Sequence, residues 1–282
     1  MENNTGIATN GTNNIQKLKE AIASDSIQTR FKDMLGKKSA GFLSNLMACV
    51  QNNDLLQKAD VNSIILAASR SAALDLPIDP NLGYAAIIPF NDRKSGKCVA
   101  QFQIQRDGFV ELALRTGQFE YIVNEPVFDG ELVEKNRFTN TYVFDESQRK
   151  PGAKIIGYMA AFKLTNGYSK TVYWTVDECK EHGKKYSKTF GLSTGLWTQA
   201  FQSMALKTVL KHLLKKYAPK SIEAINLAMQ SDQASFSGTI DNPVAEYIDN
   251  PSNDKQKATP VQEFQEAEVI EFTTTSTTTE AK

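Results

Sequence analysis

Histidine is scarce in this chain. His182 and His212 are the two present in 282 residues, so triad chemistry built on an imidazole has little to draw on. Cysteine is nearly as sparse. Cys49, Cys98 and Cys179 are odd in number and widely spaced, which reads as reduced thiols rather than a disulfide framework. Cys179 and His182 make a single C-x-x-H with no second pair, so no zinc site is implied. No G-x-x-x-x-G-K-[ST] occurs. The nearest fragment, Gly36-Lys37-Lys38-Ser39, lacks the upstream glycine, and ATP-driven chemistry is not expected. Carboxylates are plentiful but scattered, with no pair at a turn to suggest two-metal nuclease work. No apolar run approaches the roughly 18 residues of a membrane span. The opening MENNTGIATNGTNN lacks the basic and apolar regions of a signal peptide. The expectation is a cytoplasmic, non-catalytic protein with no cofactor and no metal.

What is present is ordinary in bulk: 41% hydrophobic and 23% charged residues, enough to bury a core in one domain or two. The net charge of zero hides an asymmetry. Residues 236–282 hold nine acidic and three basic side chains, and residues 1–26 hold three and two. The span between them therefore carries all of the positive excess, which points to a polyanion partner.

Composition and periodicity divide the chain into a flexible N-terminus (1–26), a core (27–234) and an acidic disordered tail (235–282). Within this division Ile15, Leu18 and Ile22 already have helical spacing, and residues 15–74 read as helices. Asp60 is a good N-cap for a helix carrying Val61, Ile64, Ile65 and Ala68. Leu76-Pro77-Ile78-Asp79-Pro80 ends it. Residues 84–90 and 97–105 read as two strands joined by the hairpin loop NDRKSG. Residues 154–163 and 169–175 flank Thr165-Asn166-Gly167, a strong hairpin signal. Residues 176–183 form a short helix, 196–217 a long one, and 221–229 one more. In the tail, residues 261–272 place Val261, Phe264, Val269, Ile270 and Phe272 among four glutamates, a segment able to fold onto a basic, apolar groove.

Two stretches carry chemistry. Residues 101–118, QFQIQRDGFVELALRTGQ, alternate like a strand and then turn helical after Asp107-Gly108. Arg106 at that junction is rigidly mounted near backbone N–H groups, a good place to hold an anion. From Lys180 to Lys220 there are nine lysines and one acid, Glu181. Lys207, Lys211 and Lys215 recur at i, i+4 and i+8, one stripe on the long helix. Lys184, Lys185 and Lys188 alternate with Tyr186, Phe190 and Trp197, a pattern suited to single strands whose bases stack. Phe190 and Trp197 equally suit core packing, and any one lysine suits a solvated face.

Three blocks resemble a known family: LDLPIDPNLGYAAIIPF (74–90), residues 101–118, and WTQAFQSMALKTVLKHLLKKYAPKSIE (197–223). In order and spacing they are similar to the RecT group of phage and prophage single-strand annealing proteins, over about residues 27–234. One departure is that Gln105 precedes Arg106 and Asp107 intervenes before Gly108, where many relatives place an aromatic and a glycine. The resemblance implies an α+β fold, a small antiparallel sheet packed with helices. It implies binding of single-stranded DNA, annealing without ATP, and homo-oligomeric rings or filaments with DNA along a basic groove. It also implies work beside a phage 5′→3′ exonuclease, with that enzyme or a host single-strand-binding protein engaging the tail. The DNA-binding residues expected are Lys94, Lys97, Arg106, Arg115, Lys184, Lys185, Lys188, Phe190, Trp197, Lys207, Lys211 and Lys215. Two alternatives stay open: a passive single-strand-binding protein, and a nuclease with an unrecognised metal site.

Overall fold

The structure, a computed structural model, describes residues 9–246 except 93–95, 137, 140, 188, 194 and 221. It is mixed helix and antiparallel sheet, opening with four helices: α1 (Thr9–Ala23), α2 (Asp25–Leu35), α3 (Ser39–Gln51) and α4 (Val61–Ala73). The expected flexible stretch 1–26 is helical from Thr9. Leu18 and Ile22, one turn apart, are both buried in the core, so the periodicity outweighs the polar composition. Asp60 caps α4 as expected, its carboxylate accepting the Ser63 N–H at 3.0 Å. Small residues on α4, among them Ala67, Ala68 and Ala72, are fully buried and let the helix pack closely beneath a sheet.

That sheet has the order β1 (Ala85–Asp92), β2 (Lys97–Ile104), β8 (Ala234–Gly238), β9 (Pro243–Glu246). β1 and β2 pair from Ala85↔Ile104 to Asp92↔Lys97, the expected first hairpin. β8 meets β2 through only Gln101↔Ser235 and Phe102↔Ala234. The rest of that β2 edge is closed otherwise: Cys98 O accepts the Asp60 N–H at 2.9 Å, Ala100 N–H donates to Ser63 Oγ at 2.8 Å, and Ile104 N–H donates to Asp232 Oδ1 at 3.0 Å. This places the end of the ordered unit later than position 234. Phe236 is buried, and the chain pairs as strands through Glu246. ASFSG reads as polar because one large side chain does the packing. The remainder of the expected tail, 247–282, lies outside the described residues.

A second sheet has the order β3 (Phe119–Phe128), β6 (Ile155–Leu164), β7 (Ser169–Thr175), and β4 (Leu132–Asn136) pairs with β5 (Thr141–Phe144) as a hairpin. α5 (Arg106–Leu114) follows β2, and α6 (Val176–Tyr186) follows β7. The helix expected over 196–217 is two, α7 (Leu196–Gln199) and α8 (Phe201–Tyr217), broken at Ala200 with φ −138° and ψ 50°. α8 lies between the second sheet on one side and α5 and α9 (Glu223–Ser231) on the other. It is therefore buried at Ala205, Leu206, Lys207, Val209, Leu210, Leu213 and Leu214 rather than along one stripe. Among the described residues no helix is long and apolar enough to cross a membrane.

Candidate nucleic-acid interface

Two lysines of α8 and the end of β2 meet at a buried carboxylate. Asp232, at the end of α9, has a fully buried side chain. It accepts from Lys211 Nζ at 2.5 Å and from Ile104 N–H at 3.0 Å, with Lys207 Nζ at 3.5 Å. Burial alone would raise its pKa. The ammoniums of Lys207 and Lys211 and the Ile104 N–H outweigh that and hold the carboxyl below its usual range. Lys207 is itself buried, and desolvation pushes its pKa down against the pull of Asp232. The stripe is thus not a solvent-facing row. Lys207 is internal, Lys211 is half-buried and engaged, and Lys215 alone is exposed. No sequence signal marks Asp232, which lies 21 and 25 residues beyond its partners.

The other expected residues are dispersed. Arg106 Nε binds Asp107 Oδ1 at 2.7 Å, both half-exposed, so the arginine of the junction pairs with the carboxylate beside it. Gly108 is needed for packing: a Cβ there would fall 2.1 Å from the Tyr84 carbonyl oxygen. Arg115 clamps the end of α4, donating to Leu74 O at 3.2 Å and Asp75 O at 3.0 Å and pairing with Glu111 at 2.8 Å. Asp75 has φ +48°, a left-handed turn that the clamp supports. Arg115 is exposed while making these contacts within the fold. Lys97 is exposed at the far end of β2, roughly 23 Å along the strand from Ile104. Lys94 and Lys188 lie outside the described residues.

Trp197 and Phe190 pack inward. The Trp197 indole is buried, 6.1 Å from the Phe190 ring and 5.7 Å from Phe201. Both rings close on Gly183, where a Cβ would stand 2.7 Å from Phe190 and 2.9 Å from Trp197. Core packing is what these two rings do.

A different basic and aromatic face is assembled by β7, α6 and α8. The Trp174 ring of β7 lies 5.4 Å from His182 of α6 and 5.0 Å from His212 of α8, and Tyr186 lies 4.6 Å from His182. One turn further along α8, Lys170 and Lys216 sit 5.1 and 5.3 Å from the Tyr217 ring centroid, and Lys185 sits 5.2 Å from that of Tyr186. Lys184 and Lys215 are exposed on the same two helices, Lys184 paired with Glu181 at 2.7 Å. Burial, then Lys211, His212 and Lys185, push His182 down to about 4; burial, then Lys216 and Lys215, depress His212. Both imidazoles are therefore neutral at pH 7 and act as flat rings. α6 begins with a capping box, Thr175 and Glu178 exchanging hydrogen bonds, which fixes its exit from β7. Lys170, Trp174, Lys216 and Tyr217 of this face carry no sequence pattern of their own beyond the Lys215-Lys216-Tyr217 run. Among the described residues no cluster of three or more His, Cys, Asp or Glu is suited to a metal.

The sequence is 39% identical over 247 residues to Uncharacterized protein YqaK of Bacillus subtilis (strain 168), covering 86% of this chain and 83% of the relative. It is 29% identical over 185 residues to Protein RecT of Escherichia coli (strain K12), covering 63% and 65% of the two chains. The sequence model of the RecT family matches residues 40–246, ending where the last described strand ends. The chain therefore belongs to the RecT family, a non-enzymatic family of single-strand annealing in DNA recombination.

Proposed function

We propose that this protein binds single-stranded DNA through the face of β7, α6 and α8 and anneals complementary strands without ATP. The observation that carries the reading is the lysine-rimmed ring cluster at Trp174, Tyr186, His212 and Tyr217, in a chain of an annealing family. Lys170, Lys185, Lys215 and Lys216 neutralise phosphates and release counterions. The half-exposed rings offer stacking surfaces worth about 1–3 kcal/mol per base, whatever the base. Contacts of this kind leave pairing edges free, so a second strand tests for complementarity. Base stacking then supplies about 1.4 kcal/mol per step. Arg106, Lys97, Lys94 and Lys188 extend the contact along the strand. Oligomerisation as a ring or filament multiplies the weak contacts of each copy, and a 5′→3′ exonuclease supplies the strand. These last points rest on the family resemblance.

The test mixes complementary fluorescent oligonucleotides with the protein, without ATP, and follows duplex yield and strand length. Faster annealing with strands of unchanged length is expected. Tight binding without acceleration would establish the passive coat, and magnesium-dependent shortening would establish a nuclease. Lys215→Ala with Lys216→Ala should reduce the salt slope of single-strand binding by about 1.4.

A further inference from the structure

We infer that a cleft between α8 and α9 receives this chain's own acidic, apolar segment 261–272. The cleft measures about 190 Å³, and Leu214, Ala218, Ile225 and Met229 supply its apolar lining. Leu214 and Ile225 are buried and form its floor, while Lys215 and Lys220 stand exposed at its rim. Lys220 Nζ also donates to the Lys215 carbonyl, which keeps its ammonium at the end of α8. An apolar cavity of about 150 Å³ accommodates benzene, so one phenyl ring fills this cleft. Two cations around an apolar slot fit a peptide with an aromatic anchor and flanking carboxylates. Residues 261–272, VQEFQEAEVIEF, have that chemistry: Phe264 or Phe272 as the one ring that fills the cleft, four glutamates and no basic residue.

Chain geometry allows the contact within one molecule. Glu246, the last described residue, pairs with Ser235, four residues past the end of α9, and Met229 lies in the last turn of that helix. The distance from Glu246 to the cleft is therefore below about 25 Å. Residues 247–260 separate Glu246 from the segment, and fourteen residues span up to roughly 50 Å. A tether of this length holds the segment near millimolar effective concentration. Lys215 belongs to both the cleft and the proposed DNA face. The segment thus competes with single-stranded DNA, a consequence that rests on the preceding reading.

The experiment compares the full chain with Phe264→Ser/Phe272→Ser and, separately, with Met229→Glu, which sets a like charge against the glutamates. Amide exchange over residues 214–229 is measured, together with binding of a labelled oligothymidylate. Exchange roughly three- to tenfold faster in both variants is expected, and oligothymidylate binding tighter by a similar factor in the tail variant. Identical exchange in all three proteins overturns the docking. Faster exchange of the wild-type cleft on dilution overturns its intramolecular assignment in favour of a second copy's segment. Faster exchange in the variants with unchanged oligothymidylate affinity overturns the competition. Absence of oligothymidylate binding in every protein overturns the DNA reading, while the exchange comparison still decides the cleft.

Discussion

Replacing Asp232 by alanine should be among the most damaging single changes in the protein. The substitution leaves Lys207 buried as a cation without its carboxylate and strips Ile104 N–H of its acceptor. Removing one partner of a buried pair costs about 3–5 kcal/mol, and the orphaned N–H alone is worth about 1–3 kcal/mol. These overlap, so a total near 4 kcal/mol is the working figure. With an m-value of about 3 kcal/mol/M, the urea midpoint should fall by about 1.3 M. Lys207→Met is the control. It deletes a buried cation in favour of an apolar chain of similar length, while Lys211 at 2.5 Å still neutralises Asp232. A cost of about 1 kcal/mol or less is expected, under about 0.4 M. Asp232→Asn retains an acceptor for Ile104 and should fall between the two. Its pH profile adds a second readout. The folded carboxyl titrates below its ordinary value, so its contribution is present above about pH 4 and is lost as pH falls through the lowered value. Wild type and Asp232→Asn should therefore converge in stability at low pH. A midpoint for Asp232→Ala no lower than that for Lys207→Met would refute the reasoning.

Two further outcomes follow from the same structure. In NMR titrations His182 should change protonation near pH 4, well below an ordinary imidazole. Because the folded value lies below the unfolded one, its stabilising contribution is complete above about pH 6.5 and lost on acidification toward 4; a midpoint near 6.5 would contradict the buried ring stack. Gly108→Ala drives a Cβ against the Tyr84 carbonyl, and a backbone oxygen cannot swing aside as a side chain would. A loss of about 3 kcal/mol, read as a fall in Tm of roughly 6–12 °C, is expected, and an unchanged Tm would contradict that close approach.

The parts of the fold governed by local rules were legible. Asp60 caps α4, the Thr165-Asn166-Gly167 turn joins β6 to β7, and residues 101–118 pass from strand to helix at Arg106. Alternation and capping depend on near neighbours, and the chain displays those directly. The candidate site was legible in composition but not in geometry. The i, i+4, i+8 lysines lie on one face of α8, yet periodicity does not say what covers that face. Here α9 covers it, delivering Asp232, and the second sheet covers the other. The rings behave likewise: Trp197 and Phe190 were visible as aromatics, and only the close approach at Gly183 decides that they pack inward. Residue 236 escaped notice because a strand of Ala, Ser, Phe, Ser and Gly has almost no pattern to read.

The patchwork closing the outer edge of β2 has a consequence for biosynthesis. Its backbone groups near Cys98 and Ala100 are satisfied by α4, which is translated before them, but Ile104 waits for Asp232, 128 residues later. At about 5–20 residues per second, the interval is roughly 6–26 s. For that time the nascent chain carries a β-rich segment with half its edge open, the kind of template that recruits stray strands. The early helices thus serve as a temporary guard on the half they can reach, and completion of the chain through Phe236 ends the exposure.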